Sequence, residues 1–192
     1  SMWEYDSVYF EAENLRFSGF NQTTKGEHFY SLKEHEDHFD LVEEANFDAN
    51  VYGLDRSKDG SRYFFRKMTF EDYPEVYTFT DAMQNAEKIS ETNPQQEEYN
   101  WGTVELTNWT SYDGIELEGL LYKPADFDST KSYPLMVYFY ELYSDRLHTH
   151  YIPKPTASIV YATEYTSAGY VFFIPDIRYE PGHPAKSAYD CI

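Results

Sequence analysis

A single cysteine, Cys191, means that no disulfide can form within the chain and leaves the redox compartment open. No apolar run approaches the roughly 18 residues that a membrane-spanning helix needs. Positive charge is scarce: 15 Lys and Arg face 34 Asp and Glu, for a formal charge of −19. Such a surface repels phosphate backbones, which argues against a nucleic-acid partner; its plain reading is a solvated acidic face. Three chemical signatures are also missing. No two glycines lie four apart, so there is no G-x-S-x-G nucleophile elbow, and neither G-x-G-x-x-G nor a Gly-Lys-Ser/Thr phosphate loop occurs. The opening "SMWEYDS" has no basic or apolar stretch of a signal peptide and reads as the start of an excised segment.

What the chain has in quantity is aromatic residues, with 20 Tyr and 14 Phe among 192. These side chains favour pleated, half-buried surfaces, so a β-rich or mixed fold is expected rather than a helical bundle. Up to residue 80 the text reads as short antiparallel strands: "SVYFEAEN", "KGEHFYSL", a hairpin "FDANVYGLDRSKDGSRYFFRKM" turning at Lys58-Asp59-Gly60, and "EVYTFT". Four or so such strands suit a sandwich, a barrel or a propeller blade. The polar stretch 81–100, with Asn93-Pro94 inside it, marks a boundary between units at 1–92 and 93–192.

Beyond the boundary, Asp113-Gly114 signals a second hairpin within "GTVELTNWTSYDGIELEGLLYKP". "YPLMVYFY" and "YVFFIPDI" are continuous apolar runs, as expected of strands buried on both faces. Between them Ile159, Ala162 and Tyr165 keep helical spacing and Gly169 is placed as a C-cap. Strand, helix and strand in that order predict a parallel crossover, the way an α/β-hydrolase sheet begins after its opening hairpin.

Candidate reactive residues are dispersed. His35 and His38 in "KEHEDHFD" would ligate a metal if helical, against the plainer reading of a solvated polar loop. His148 and His150 would meet on one strand face, or simply face solvent. His183, between Gly and Pro, suits a loop-organising hydrogen bond better than general-base work, since no nucleophile is there to pair with it. Glu116 and Glu118 alternate along a strand toward solvent. Asp176 stands at a strand's C-terminal end, where α/β enzymes place their sites, or else braces the adjoining loop together with Arg178. Tyr140 closes its strand, where a phenol either donates to an oxyanion or packs at the sheet edge.

Read in order, "ISETNP", "WGTVELTNWTSYDGIELEGLLYKPADFDSTKSYPLMVYFY" and "SAGYVFFIPDIRYEPGHPAKSAYD" resemble the prolyl oligopeptidase family of serine peptidases, most of all its dipeptidyl-peptidase-like branch. The resemblance covers residues 88–192 well and 1–87 less. It implies the last antiparallel blade strands of a β-propeller over 1–92, followed by the N-terminal part of an α/β-hydrolase domain over 93–192. It implies hydrolysis of small peptides as an exo- or oligopeptidase, with no cofactor and no metal, a possible homodimer, and a periplasmic or secreted location ahead of a cytoplasmic one. The family's nucleophile, Asp and His lie beyond its counterpart of Ile192, so the chain alone is expected to be inactive. One catalytic position carries over: the family's Y-G-G-P tyrosine, which helps form the oxyanion hole, matches Tyr140. Here Glu141-Leu142-Tyr143 stands where Gly-Gly-Pro is usual, and Tyr179 replaces the glycine of D-x-R-G. The alternative expectation is a non-catalytic β-rich binding or interaction module.

Overall fold

A computed structural model describes residues 15–154 and 160–192; the expected strand "SVYFEAEN" and Ile159 lie outside them. The described residues form three sheets. The first is an antiparallel meander of β1 (Arg16–Phe20), β2 (Glu27–Glu34) and β3 (Phe39–Phe47). The second, also a meander, holds β4 (Asn50–Arg56), β5 (Tyr63–Met68), β6 (Glu75–Phe79) and the two-residue β7 (Glu87–Lys88). The turn Lys58-Asp59-Gly60 joins β4 to β5, and Gly60 has the positive φ of 73° that such a turn demands. β3 was not expected; residues 35–38 form the tip of a hairpin, and the strand begins at once after it.

The first two sheets bury a common apolar centre. Phe29 and Ala45 of the first meet Val51, Phe65 and Phe79 of the second, with Met83 closing the cluster. Phe65, 1% exposed, packs against Phe47, Tyr77 and Phe79. Burying each such side chain stabilises the fold by about 1.5–3 kcal/mol.

The third sheet is mixed. β8 (Thr103–Thr110) and β9 (Glu116–Lys123) form the expected hairpin, with Gly114 at φ 85° in its turn. β10 (Leu135–Val137), the short helix α1 (Ala162–Ser167) and β11 (Val171–Pro175) complete the crossover. The strand order is β10-β11-β9-β8, with β10 parallel to β11 and the other pairs antiparallel. Gly169, at φ 82°, ends α1 in the left-handed C-cap conformation. A second helix, α2 (Pro184–Cys191), starts on Pro184, whose fixed φ suits a first helical turn. It packs Ala188 and Cys191 near Leu117 and Ile177.

One expectation about this sheet needs correction. "YPLMVYFY" does not form a strand buried on both faces: only Leu135–Val137 pair, β10 is an edge among the described residues, and Leu135 is exposed. "YVFFIPDI" does run through the interior, with Phe172 fully buried in β11. Among the described residues, no helix is long and apolar enough to cross a membrane.

Between Lys88 and Thr103 the chain passes from the second sheet to the third. Ser90 Oγ donates to Glu75 and Thr92 N–H donates to the same carboxylate, so the exit strand stays tied to β6. Phe70, from the loop after β5, enters the core of the third sheet beside Leu120, Tyr122, Phe172 and Ile174.

Candidate active site

Tyr140 lies three residues past the end of β10, in a segment held at both ends. Upstream, Tyr138 N–H donates to Phe173 O at 3.0 Å, continuing the parallel ladder. Downstream, Glu141 O accepts the N–H of Ile177 at 3.1 Å. Between these anchors the Tyr140 side chain is 63% exposed, flanked by exposed Phe139 and Leu142. Its hydroxyl has no hydrogen-bond partner among the described residues, so the phenol O–H is free to donate to an incoming group.

Asp176 supplies the stiffness. Its carboxylate is buried at the C-terminal end of β11, and one oxygen accepts two backbone N–H groups, from Tyr143 at 2.5 Å and Ser144 at 2.9 Å. The Asp176 N–H donates in turn to Glu118 O at 2.9 Å. Charge-assisted bonds of this kind are short and roughly twice as strong as neutral ones. Asp176 therefore braces a loop, but it is the loop after β10 rather than its own, and among the described residues the Arg178 side chain makes no hydrogen bond or ion pair that shares in it. Past it, Tyr143 meets Tyr138 edge-on at 6.2 Å and carries the Arg146 guanidinium 4.7 Å above its ring. Burial and a hydrogen bond with Tyr138 raise the Tyr143 phenol above its ordinary value.

A cleft of about 380 Å³ opens beside Leu142, lined by Lys25, Glu118, Asp145, Asp176 and Arg178. Lys25 reaches it from the turn between β1 and β2. Its ammonium is buried and donates to Glu118 at 2.7 Å and Asp145 at 3.2 Å. Burial opposes its charge, but the two carboxylates outweigh that and raise its pKa. His148 adds a second tie to the same turn, with Nε2 2.8 Å from Thr24 O. Nothing local in the sequence marks Lys25 for this place; in the structure it takes up a positive φ of 57°.

The other candidates are scattered. His148 and His150 share no strand face: both follow the 3-10 turn Ser144–Arg146 in irregular chain, and they part company there. His150 is buried, stacked on Trp101 at 4.8 Å, with Nδ1 2.9 Å from Phe70 O. Trp101 Nε1–H donates to that same carbonyl at 2.9 Å. Glu116 accepts from Thr110 Oγ at 2.6 Å, and Glu118 receives Lys25 rather than only water. The His183 carbonyl accepts from Ser187 at the start of α2, while its side chain is exposed. His35 and His38 sit at the β2–β3 hairpin tip and not on a helix.

Chemically the arrangement offers a donor aimed at solvent and no partner to activate. Among the described residues, no histidine is hydrogen-bonded to a serine hydroxyl or to the Cys191 thiol. A phenol so placed can stabilise negative charge on an oxygen that some other group creates.

No family model matches this sequence, and no curated protein does. Solved structures do match. The chain is similar to apo AtxE2 isopeptidase, with a TM-score of 0.64 and 16% identity over 88% of this chain and 25% of that one. It is also similar to Porphyromonas gingivalis dipeptidyl peptidase 4, with a TM-score of 0.58, 16% identity, and 85% and 22% of the two chains covered. A third likeness is to a structure from an analysis of two prolyl endopeptidases, with a TM-score of 0.55 and 15% identity over 96% of this chain and 25% of that one. At such identities the likeness is one of fold, and the chain spans about a quarter of the length of each of these proteins.

Proposed function

We propose that these residues belong to a serine-type exo- or oligopeptidase of the prolyl oligopeptidase family that hydrolyses small peptides. Residues 1–92 form the closing portion of its β-propeller, and residues 93–192 the opening portion of its α/β-hydrolase domain. The observation that carries this reading is the ordered motif series from Ile89 to Asp190, set in a fold like that of three solved peptidases. In the reaction a serine supplied outside these 192 residues attacks the peptide carbonyl, and a histidine, also outside them, accepts its proton. The carbonyl oxygen becomes an oxyanion, and the Tyr140 hydroxyl donates a hydrogen bond to it. Asp176 holds the backbone of Tyr143 and Ser144 and so limits where Tyr140 can stand. The whole enzyme needs no cofactor, and two copies of it form the dimer.

The test is to read the coding sequence past Ile192 and to treat both the whole protein and this chain with a fluorophosphonate probe. The expected result is a downstream G-x-S-x-G followed by Asp and His, with labelling of that serine and none within residues 1–192. A stop codon at position 193, or a labelled serine inside the chain, overturns the proposal, and the former would leave a non-catalytic binding module.

A further inference from the structure

The hairpin tip between β2 and β3 brings metal-ligating side chains together in a way the peptidase reading does not use. The His35 N–H donates to His38 O at 2.9 Å and closes the turn Glu34-His35-Glu36-Asp37-His38-Phe39. Both histidines therefore flank one tight loop, and Asp40 stands just beyond on β3. His35 Nε2 lies 3.2 Å from one Asp40 oxygen, and His38 Nε2 lies 3.9 Å from the other. Ligand atoms of His35, His38 and Asp40 all fall within 4.8 Å of one another. Around a tetrahedral zinc ion with its usual bond lengths, adjacent ligand atoms are about 3.4 Å apart, so the wider pairs of the cluster must close by up to about 1.4 Å through side-chain rotation.

A separate contact prepares the second histidine. Its Nδ1 is 2.7 Å from an Asp37 carboxylate oxygen. A carboxylate on one ring nitrogen orients the ring and keeps a proton there when a metal takes the other, Nε2, which faces Asp40; metal-binding histidines are oriented in this manner. The two imidazoles stack at 4.6 Å with planes 8° apart. Parallel rings cannot both aim lone pairs at one ion, so entry of a metal splays them. The side chains of His35 and His38 are 36% and 55% accessible, which leaves room for that rotation.

We propose that His35, His38 and Asp40 form a surface site for a divalent transition metal of the zinc, nickel or copper class, with Asp37 orienting His38 and water completing the shell. Two imidazoles and a carboxylate suit those ions. Calcium and magnesium, which take mostly oxygen ligands in larger number, are not held.

The experiment titrates the 192-residue chain with zinc chloride and with nickel chloride, by calorimetry and by the ring proton resonances of its six histidines. The expected result is one equivalent bound with a dissociation constant on the order of micromolar, the His35 and His38 resonances alone shifting. His35→Gln and His38→Gln each weaken binding more than tenfold, and Asp37→Asn weakens it by roughly 10-fold while leaving the ligand set complete. His183→Gln leaves it unchanged. All four variants lie at exposed positions, and matching circular dichroism spectra establish that each is folded. Absence of binding up to about 1 mM metal, equal binding in the His38→Gln variant, or equal affinity for magnesium overturns the site.

Discussion

The ring of Phe70, in the loop after the second sheet's β5, meets that of Tyr122 in β9 of the third sheet edge-on at 5.0 Å. Phe70 leaves β5 in the second sheet and is 2% exposed in the core of the third. Its carbonyl also takes the Trp101 indole N–H and faces His150 Nδ1. Truncation to Phe70→Ala removes a buried aromatic ring and should destabilise the chain by about 3–5 kcal/mol. The check is urea unfolding followed separately by Trp fluorescence and by circular dichroism. A loss under about 1 kcal/mol would show that this ring does not bridge the sheets.

The same junction makes stability depend on pH. Burial, opposed by the bond to Phe70 O, holds His150 below the ordinary imidazole value of 6.5. The unfolded chain therefore takes up a proton below about pH 6.5 that the folded chain refuses, and stability falls as pH drops through that value toward the lower folded one. His150→Asn keeps a donor for Phe70 O and removes the titration. The difference in unfolding free energy between wild type and variant should change across pH 7.5 to 5.5. A constant difference would exclude His150 as the source.

Cleavage and separation should part company. Residues 97–100 are exposed, and Tyr99 is 68% so, which makes this stretch the place for a first proteolytic cut. Upstream the chain is less open to a protease, because Met83 is buried and Ser90 and Thr92 hold Glu75. After the cut, Phe70 in its foreign core and Lys25 between Glu118 and Asp145 should keep the two pieces together. Gel filtration of the nicked protein checks this: a single native peak that resolves into two bands only under denaturing conditions is expected.

On the proposed peptidase reading, Tyr140→Phe in the whole protein should lower kcat by roughly 10²–10³-fold with little change in KM, because the bond gains strength only as charge develops on the oxygen. Stability should hold, since the side chain is exposed and its hydroxyl makes no hydrogen bond among the described residues. Tyr138→Phe, two residues earlier and packed against the core, serves as the comparison. An unaltered kcat in Tyr140→Phe would remove the tyrosine from the reaction.

Local features were legible from the sequence. Asp113-Gly114 and Gly169 carry their own conformational demand, and both fell where expected, at φ 85° for Gly114 and 82° for Gly169. β3 was hidden because Phe39, Leu41 and Val42 face outward among acidic residues, and only Ala45 is buried, so no alternation announces the strand. Of the candidate site, Tyr140 was expected to close its strand, but the strand ends at Val137 and Tyr140 stands in the loop beyond it. The pairing of Asp176 with the backbone of Tyr143 and Ser144, more than thirty residues away, was not legible. Lys25 was opaque for the same reason, since its carboxylates lie 93 and 120 residues along the chain.

The short strand β10 has one further consequence, for how this polypeptide behaves in concentrated solution. Among the described residues no strand pairs with its outer rim, and Leu135 on it and Phe139, Tyr140 and Leu142 just past it are exposed, with no Lys or Arg among residues 132–145 to deter a neighbour. Bare rims of this kind recruit a strand from whatever chain is near. Self-association through β10 should then rise with concentration and disappear in Met136→Pro or Met136→Lys variants. Any dimer measured on these 192 residues must first be distinguished from that edge-to-edge adhesion before it is credited to a surface the whole protein uses.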